Sequence, residues 1–303
     1  MQQQYKRLYD SRHYLLMLLP GILYYLIFHY APMYGVIIAF KDFNMFQGIW
    51  GSPWASQSGF YNFIELFQSP EFFRVIRNTI LLSFYLILFS FPMPILLALS
   101  LNEARNGIWK RSVQTITYLP HFISTVVICG MIFNFLSLDG MINQIASWLG
   151  AERIQYLLMP EYFRTIFITS DIWQTIGWGS ILYLAALSGI DTSLYEAARI
   201  DGANRWHQII HINIPALIPT IVILLIFNIG NLMQISFEKV LLLYQPNTYE
   251  TADVIGTYVY RRGIIGTQFS FATAVGLFQS AIGFAMIMLA NWSARKLTSN
   301  SLW

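Results

Sequence analysis

Long apolar runs dominate the chain, and shorter polar segments separate them. Six of these runs reach the length of roughly 20 residues that a helix needs to cross the hydrocarbon core of a bilayer. Backbone polar groups inside a membrane must be hydrogen-bonded within the segment, so each run is predicted to be a helix. The predicted fold class is all-α, a polytopic membrane protein with six spans at about 14–38, 78–101, 113–136, 165–189, 216–236 and 270–292.

The spans divide the chain into three predicted parts. Residues 1–77 hold an N-terminal segment, the first span and a long loop. Residues 78–292 hold five core spans with a polar loop at 191–215, and residues 293–303 form a tail. The long loop contains Gly48–Trp54, which is rich in turn formers and aromatic residues. This segment fits an interfacial cap on the helices and a docking surface for another protein equally well.

Composition supports a membrane protein. The chain has 303 residues, of which 56% are hydrophobic and only 11% are charged, whereas soluble domains carry about 25% charged residues. The net charge of +3 and the absence of a dense Lys/Arg run argue against nucleic-acid binding. A single cysteine, Cys129, excludes an internal disulfide and is expected to be a small buried apolar residue.

Positive charges indicate the orientation of the spans. If the N-terminus is inside, ten of the 18 Lys and Arg residues fall in inner segments that are much shorter than the outer ones. The higher density of basic residues inside places both termini and the 191–215 loop in the cytoplasm. The inner residues are Lys6, Arg7, Arg12, Arg105, Lys110, Arg111, Arg199, Arg205, Arg295 and Lys296.

The polar loop between the fourth and fifth spans is predicted to fold as two short helices around a glycine. Ser193 and Glu196 have the spacing of a capping box, so the first helix is expected over about 194–200. Gly202 then stands where a helix commonly ends in the left-handed conformation. The second helix is expected over about 203–213, and two prolines open the fifth span, Pro215 and Pro219.

Two spans carry polar and aromatic residues at membrane depth, where polar side chains mark either functional sites or hydrogen bonds between helices. At a rise of about 1.5 Å per residue, these residues fall at matching depths on the two helices. Amides and carboxylates bind sugar hydroxyls, and tryptophan covers the C–H face of a sugar ring. The candidates for a substrate path are Asp171, Trp173, Trp178, Asn228, Asn231 and Gln234.

Trp173 is the least regular member of this group. It lies about 200° around an ideal helix from Asp171, so both residues cannot line one face of a regular helix. Both could do so only if Gly177 and Gly179 loosened the helix.

The polar loop also carries a longer pattern. From Glu196 it reads Glu-Ala-Ala, three residues, Gly, nine residues, Ile, one residue and Ile-Pro. This resembles the signature of the membrane subunits of binding-protein-dependent ABC importers, which has Leu where this chain has Ile214, a replacement of similar volume. In that family the loop contains the coupling helix, which seats in a cleft of the ATPase and passes its movement to the spans. The residues assigned to this role are Glu196, Ala197, Ala198, Asp201, Gly202, Ile212 and Pro215.

Four segments of the N-terminal half resemble a subgroup of sugar importers related to the alginate-type and maltose-type systems. They are Leu19–Gly21, Pro32–Gly35, Ile38–Phe43 and Gly51–Trp54. The resemblance implies the type I importer permease fold, in which a first helix is added to a core of five. It also implies a bacterial cytoplasmic membrane location, a second similar permease, a pair of ATPase subunits and an external solute-binding protein.

The same resemblance bears on the substrate path. In the maltose-type permease the corresponding two spans contact the sugar, and Trp173, Trp178, Asn228 and Asn231 fall on its contact positions. Asp171 also falls on one of these positions, where that permease has Asn, so a charge stands in place of an amide. The expected substrate is an oligosaccharide.

Enzymatic activity is not expected. The chain has no glycine-rich phosphate-binding loop and no catalytic constellation, so ATP and magnesium are expected on a separate ATPase subunit, with no cofactor or metal on this chain. Two alternatives remain open. One is a permease of the same family for a peptide or an amino acid, and the other is an ion-coupled secondary transporter, which would have no use for the cytoplasmic loop.

Overall fold

The computed structural model describes the backbone of residues 12–235 and 237–298. Predicted segments that fall on residues 1–11 and 299–303, including Lys6 and Arg7, lie outside the described residues. The α-helices are α1 (Arg12–Tyr25), α2 (Gly48–Gly51), α3 (Tyr61–Gln68), α4 (Pro70–Tyr85), α5 (Pro92–Glu103), α6 (Ile108–Tyr118), α7 (Thr125–Leu136), α8 (Met141–Trp148), α9 (Pro160–Ser188), α10 (Thr192–Ile200), α11 (Arg205–Gln208), α12 (Ile214–Gly230), α13 (Phe237–Leu243), α14 (Tyr249–Ala252), α15 (Ile255–Val259) and α16 (Phe269–Thr298).

Tighter and wider helical turns extend several of these helices. The π-helical turns are Leu26–Tyr30, Leu86–Ser90, Ile209–Asn213 and Tyr260–Ile265. The 3-10 turns are Ala31–Phe40, Leu119–Phe122, Tyr156–Leu158 and Pro246–Thr248. With these turns included, the predicted all-α fold class is confirmed.

Five stretches of the described chain are long and apolar enough to cross a membrane. They are Arg12–Phe40, Pro70–Glu103, Thr125–Trp148, Arg205–Gly230 and Phe269–Lys296. The remaining predicted span corresponds to α9, whose 29 residues are long enough but include the polar residues Asp171 and Gln174. The count of six spans fits these helices and stays a prediction.

The predicted third span, 113–136, is wrong as one continuous helix. Helix α6 ends at Tyr118, a 3-10 turn follows, and Ile123 and Ser124 are extended before α7 begins. Pro120 has no backbone N–H to continue the helix, and the Ser124 side chain caps the new helix by accepting a hydrogen bond from the Val127 N–H. The break brings the 3-10 turn Leu119–Phe122 into contact with α9.

The prediction of two separate helices at 203–213 and 216–236 is also wrong, because the structure has no break between them. Helix α11, a π-helical turn and α12 form one continuous stretch, Arg205–Gly230. The N–H of Ile214 bonds the carbonyl of Ile209, five residues back, and this wider turn admits Pro215 without breaking the helix. The far end falls at Gly230, six residues earlier than the prediction of 236.

Within the described residues the chain forms two compact units. The first comprises the residues up to Gln68 together with Arg262–Leu277, and the second comprises Ser69–Arg261 together with the residues from Phe278 onwards. The three predicted parts were defined by membrane topology, and that division stays a prediction.

In the first unit, the segment Gly48–Trp54 closes over a buried lysine. The Nζ of Lys41, which is 6% exposed, donates to the carbonyls of Ile49 at 2.7 Å and Ser52 at 3.0 Å. Lys41 also lies 5.3 Å from the ring of Trp54. Trp50, by contrast, is 80% exposed. The exposed surface is compatible with both predicted roles, the interfacial cap and the docking surface.

In the second unit, α9 is the central helix and contacts α4, α5, α6, α12 and α14. One apolar cluster includes Phe163 and Phe167 of α9 with Cys129 of α7, so the expectation of a buried cysteine is confirmed. A second cluster packs Tyr183 and Leu187 of α9 against α5 and α12. The two clusters hold α9 at both ends and leave its middle beside an open cavity.

Candidate functional site

The polar loop at 191–215 begins with a helix cap. The Asp191 carboxylate accepts a hydrogen bond from the Ser193 N–H at 2.9 Å, so Asp191 is the N-cap and α10 starts at Thr192. The predicted capping box of Ser193 and Glu196 is therefore wrong, because a better cap residue stands two positions earlier. The backbone and side-chain hydrogen bonds from Ser193 lower the pKa of Asp191.

The loop then turns at Gly202. Its φ of +76° confirms the predicted left-handed conformation, which costs a glycine little. The Ala203 N–H donates to the carbonyl of Ala198 at 2.8 Å, and the Gly202 N–H donates to Arg199 at 3.1 Å. This pattern ends α10 by satisfying its last carbonyls. Asn204 then caps α11 by accepting from the His207 N–H at 2.9 Å.

Helix α10 is attached to the membrane helices by few polar contacts. The Tyr195 hydroxyl donates to Asn213 Oδ1 at 2.5 Å, and burial raises the pKa of Tyr195. In the helix that follows, Arg205 of α11 lies 4.0 Å from the carboxylate of Glu103 at the end of α5. A cavity of about 760 Å³ lies between α10 and the ends of α5 and α9. The helix therefore projects from the bundle and rests on a small base.

The loop exposes three large apolar side chains. Leu194 is 53% exposed, Ile200 is 87% exposed and Trp206 is 70% exposed. Of the predicted coupling residues, five are exposed and two are half-buried, with Ala198 and Ile212 in the second group. The predicted residues and this apolar surface lie on the same short segment. Sequence reasoning missed the three large residues, although apolar side chains in a polar loop were a signal for them.

A cavity of about 380 Å³ lies in the second unit between α5, α9 and α12. Asp171, Trp178 and Asn228, predicted from two separate spans, all line it. Tyr183, Thr175 and Leu224 also contribute to the wall. The structure thus brings one carboxylate, one amide and one indole together around a space large enough for part of a sugar chain.

Trp178 is positioned by the glycines on either side of it. A Cβ on Gly177 would overlap the carbonyl of Thr117, and a Cβ on Gly179 would come within 2.9 Å of the Pro94 ring. The two glycines therefore let α9 pack directly against the end of α6 and against α5. They do not loosen the helix, which stays regular from Pro160 to Ser188.

Polar contacts orient the carboxylate in the cavity wall. The Ser90 hydroxyl donates to Asp171 Oδ2 at 2.6 Å. One turn further along α9, Gln174 Oε1 accepts from the Nζ of the buried Lys239 at 3.3 Å. The Asn228 amide donates to the Leu224 carbonyl at 2.9 Å. Of these side chains, Ser90, Asp171 and Asn228 line the cavity, and their oxygen and nitrogen atoms can hydrogen-bond hydroxyl groups.

Three predicted residues lie elsewhere. Trp173 lines a separate apolar cavity of about 340 Å³ with residues of α7, including Ile128 and Phe135. Asn231 is the C-cap of α12, and the Gln234 N–H donates to its carbonyl at 2.8 Å in the following turn. The prediction that Asn231 and Gln234 belong to the fifth spanning helix is wrong, because the helix ends at Gly230. The pair Gly-Asn is a helix stop signal that could have revealed this.

The cavity also contains an aromatic residue that sequence reasoning missed. His121, in the 3-10 turn after α6, stacks on Trp178 with ring centroids 4.5 Å apart and an interplanar angle of 3°. Phe122 meets the same indole edge-on at 5.5 Å. No local pattern marks His121, since it reaches Trp178 only because the third span is broken.

The chain matches known proteins over most of its length. The profile of the binding-protein-dependent transport system inner membrane component matches residues 90–299. The polygalacturonan/rhamnogalacturonan transport system permease protein YteP of Bacillus subtilis (strain 168) is 44% identical over 298 residues, which cover 98% of this chain and 92% of the relative. The protein LplB of the same organism is 44% identical and covers 95% of this chain and 90% of the relative.

A solved structure has the same fold. It is the crystal structure of a bacterial ABC transporter involved in the import of the acidic polysaccharide alginate, with a TM-score of 0.90 and 45% identity to this chain. The match covers 98% of this chain and 99% of the other. A second structure, with a TM-score of 0.90 and 44% identity, contains the alginate transporter in complex with a periplasmic protein that holds an alginate pentasaccharide. This chain belongs to the family of binding-protein-dependent transport system inner membrane components, the permease subunits of ABC importers in the bacterial inner membrane.

Proposed function

We propose that this chain is the permease subunit of an ATP-driven importer that moves an oligosaccharide released from a polysaccharide. The observation that carries the proposal is the cavity in which Asp171, Trp178 and Asn228 meet. Its carboxylate and amide bind hydroxyl groups, and its indole offers a flat apolar face. The relatives whose names specify a substrate, polygalacturonan/rhamnogalacturonan and alginate, support a polysaccharide-derived cargo.

The energy for transport comes from a separate ATPase subunit that binds ATP and magnesium. Helix α10 and the Gly202 turn form the seat for this subunit. The exposed side chains of Leu194, Ile200 and Trp206 supply apolar contact area. The small residues Ala197 and Ala198 keep the helix slim enough to enter a groove. In this arrangement the loop and both chain termini lie in the cytoplasm.

The complete importer contains two permeases. A second, similar permease closes the cavity, which is open in this single chain, and an external binding protein delivers the sugar from the other side of the membrane. Movement of the ATPase pair turns the two permeases against each other, so that the cavity opens alternately to the two sides.

Uptake by the reconstituted importer tests this function. Proteoliposomes with both permeases and the ATPase receive labelled oligosaccharides of acidic and neutral polysaccharides, together with the binding protein. Uptake is expected only with ATP on the ATPase side and with the binding protein present. Uptake that persists without the ATPase and follows an ion gradient would identify a secondary transporter. Uptake of peptides or amino acids in place of sugars would contradict the proposed substrate class.

A further inference from the structure

The imidazole of His121 covers one face of the Trp178 indole in the membrane cavity. The two rings are parallel within 3° and their centroids are 4.5 Å apart. Both residues line the same space as Asp171 and Asn228. A sugar ring that stacks on this indole face would therefore have to occupy the position of the imidazole.

Trp178 is the fixed partner of this stack. It lies in the middle of a 29-residue helix, between Gly177 and Gly179, which hold that helix in direct contact with Thr117 and Pro94. The backbone under the indole cannot shift without separating α9 from two neighbouring elements. The ring position is therefore set by the packing of the bundle.

His121 is the movable partner. It belongs to the short 3-10 turn Leu119–Phe122, which Ile123 and Ser124 follow in extended conformation. The side chain is exposed, and its ring neighbours in the structure are Phe122 and Trp178. A rotation of this one side chain would uncover the indole and leave the helices in place.

We propose that His121 is a removable cover on the sugar-stacking face of Trp178, and that a pyranose ring of the substrate displaces the imidazole when it enters the cavity. This inference rests on the proposed function, because it takes Trp178 as a sugar contact. Imidazole and sugar compete for one face, so the sugar affinity of the cavity is reduced by the strength of the ring stack. For an aromatic pair of this kind the reduction is about 2- to 10-fold.

The test observes Trp178 directly in the complete importer. A single 5-fluorotryptophan at position 178 reports on its surroundings by fluorine resonance in lipid nanodiscs. His121→Ala is expected to shift the resonance, because the ring current of the imidazole is lost. Titration with the transported oligosaccharide is expected to give an apparent affinity about 2- to 10-fold tighter in His121→Ala than in the wild-type chain. His121→Phe keeps a ring over the indole and is expected to bind the sugar no more tightly than the wild type does.

Each other outcome overturns the proposal. An unchanged resonance in His121→Ala would show that the stack does not exist in the membrane. An affinity that is unchanged in His121→Ala would show that the imidazole does not compete with sugar, and a weaker affinity would make His121 a sugar ligand. If sugar leaves the resonance unmoved, the indole is not a stacking site, and the proteoliposome uptake assay decides separately whether the importer function stands. His13→Ala, at the start of α1, is the matched control and is expected to leave the spectrum unchanged.

Discussion

The polar loop at 191–215 and the cavity between α5, α9 and α12 are built by interactions of very different range. Gly202 takes its conformation from the residues beside it, and its closing hydrogen bond spans only Ala198 to Ala203. In the cavity wall, Ser90 contacts Asp171 and His121 contacts Trp178. The two residues of each pair are far apart in the chain. A short motif therefore describes the loop well, whereas the cavity depends on how whole helices pack.

The largest effect is expected at the turn of the loop. Gly202→Val places a β-branched residue at a φ of +76°, which strains the backbone although nothing lies within 4 Å of the added Cβ. The direction of the chain into α11 changes, so we expect sugar uptake to be abolished while the binding protein still binds sugar. Gly202→Asn is the control, because asparagine tolerates this conformation, and it should retain most of the uptake. Normal uptake by the Val variant would contradict the coupling role.

The next effect tests the packing of the cavity. Gly177→Ala would press a methyl group into the carbonyl of Thr117, so we expect a loss of about 1–3 kcal/mol in stability together with reduced uptake. Thermal unfolding in detergent measures the loss of stability. Gly130→Ala in α7 is the matched control, because nothing lies within 4 Å of its added Cβ, and it should be neutral or stabilising. Equal melting temperatures for both variants would show that α9 and α6 are not in direct contact.

The two tryptophans of α9 line different cavities, Trp178 the polar one and Trp173 the apolar one, so their variants should differ in sugar affinity. Trp178→Ala removes the indole of the cavity, and we expect the apparent sugar affinity to fall about tenfold, equivalent to about 1.4 kcal/mol. Trp173 faces the other cavity, so Trp173→Ala should change this affinity by less than about twofold. Isothermal titration calorimetry on the purified importer, without the fluorine label, compares the sugar affinities of the two variants. Equal losses would place both residues on the sugar path, as the sequence analysis predicted.

A smaller effect is expected at the start of α10. Asp191→Ala removes the cap and should lower the rate of uptake without affecting sugar binding, whereas Asp191→Asn keeps a cap acceptor and should behave like the wild type. The hydrogen bonds from Ser193 lower the pKa of Asp191, so the cap is fully present above the unfolded-state pKa and is lost as the pH falls through the folded-state value. Uptake rates of the three proteins at neutral pH measure the effect, and a slow Asn variant would exclude capping as the cause.

The fold class and the signature loop could be predicted from the sequence because both depend on local chemistry. Apolar run length is enough to predict spanning helices, and Gly202 was correctly expected in the left-handed conformation. The cap was assigned to Ser193 because its spacing to Glu196 matches a capping box, whereas the N-cap in the structure is Asp191. Both residues are common N-caps, and only the backbone hydrogen bond distinguishes them.

The residues that line the cavity could be predicted only in part. Matching depths correctly brought Trp178 and Asn228 together, because helical rise is constant along a span. The same reasoning failed for Asn231 and Gln234, since it assumed that the helix continued past Gly230. His121 could not be predicted, because its contact depends on the break at Pro120 and on two glycines that let α9 approach.

Cross-linking at the projecting face of the loop tests the central claim most directly. In a Cys129→Ser background, a single cysteine replaces Ile200, which is 87% exposed, and a control cysteine replaces Leu149, which is 83% exposed in the predicted outer loop. We expect Ile200→Cys to cross-link to the ATPase subunit and to be shielded from impermeant reagents in intact cells. Leu149→Cys is expected to be labelled from outside and never to cross-link. Labelling of position 200 from outside, or failure to cross-link in an importer that transports sugar, would contradict the coupling role of this loop.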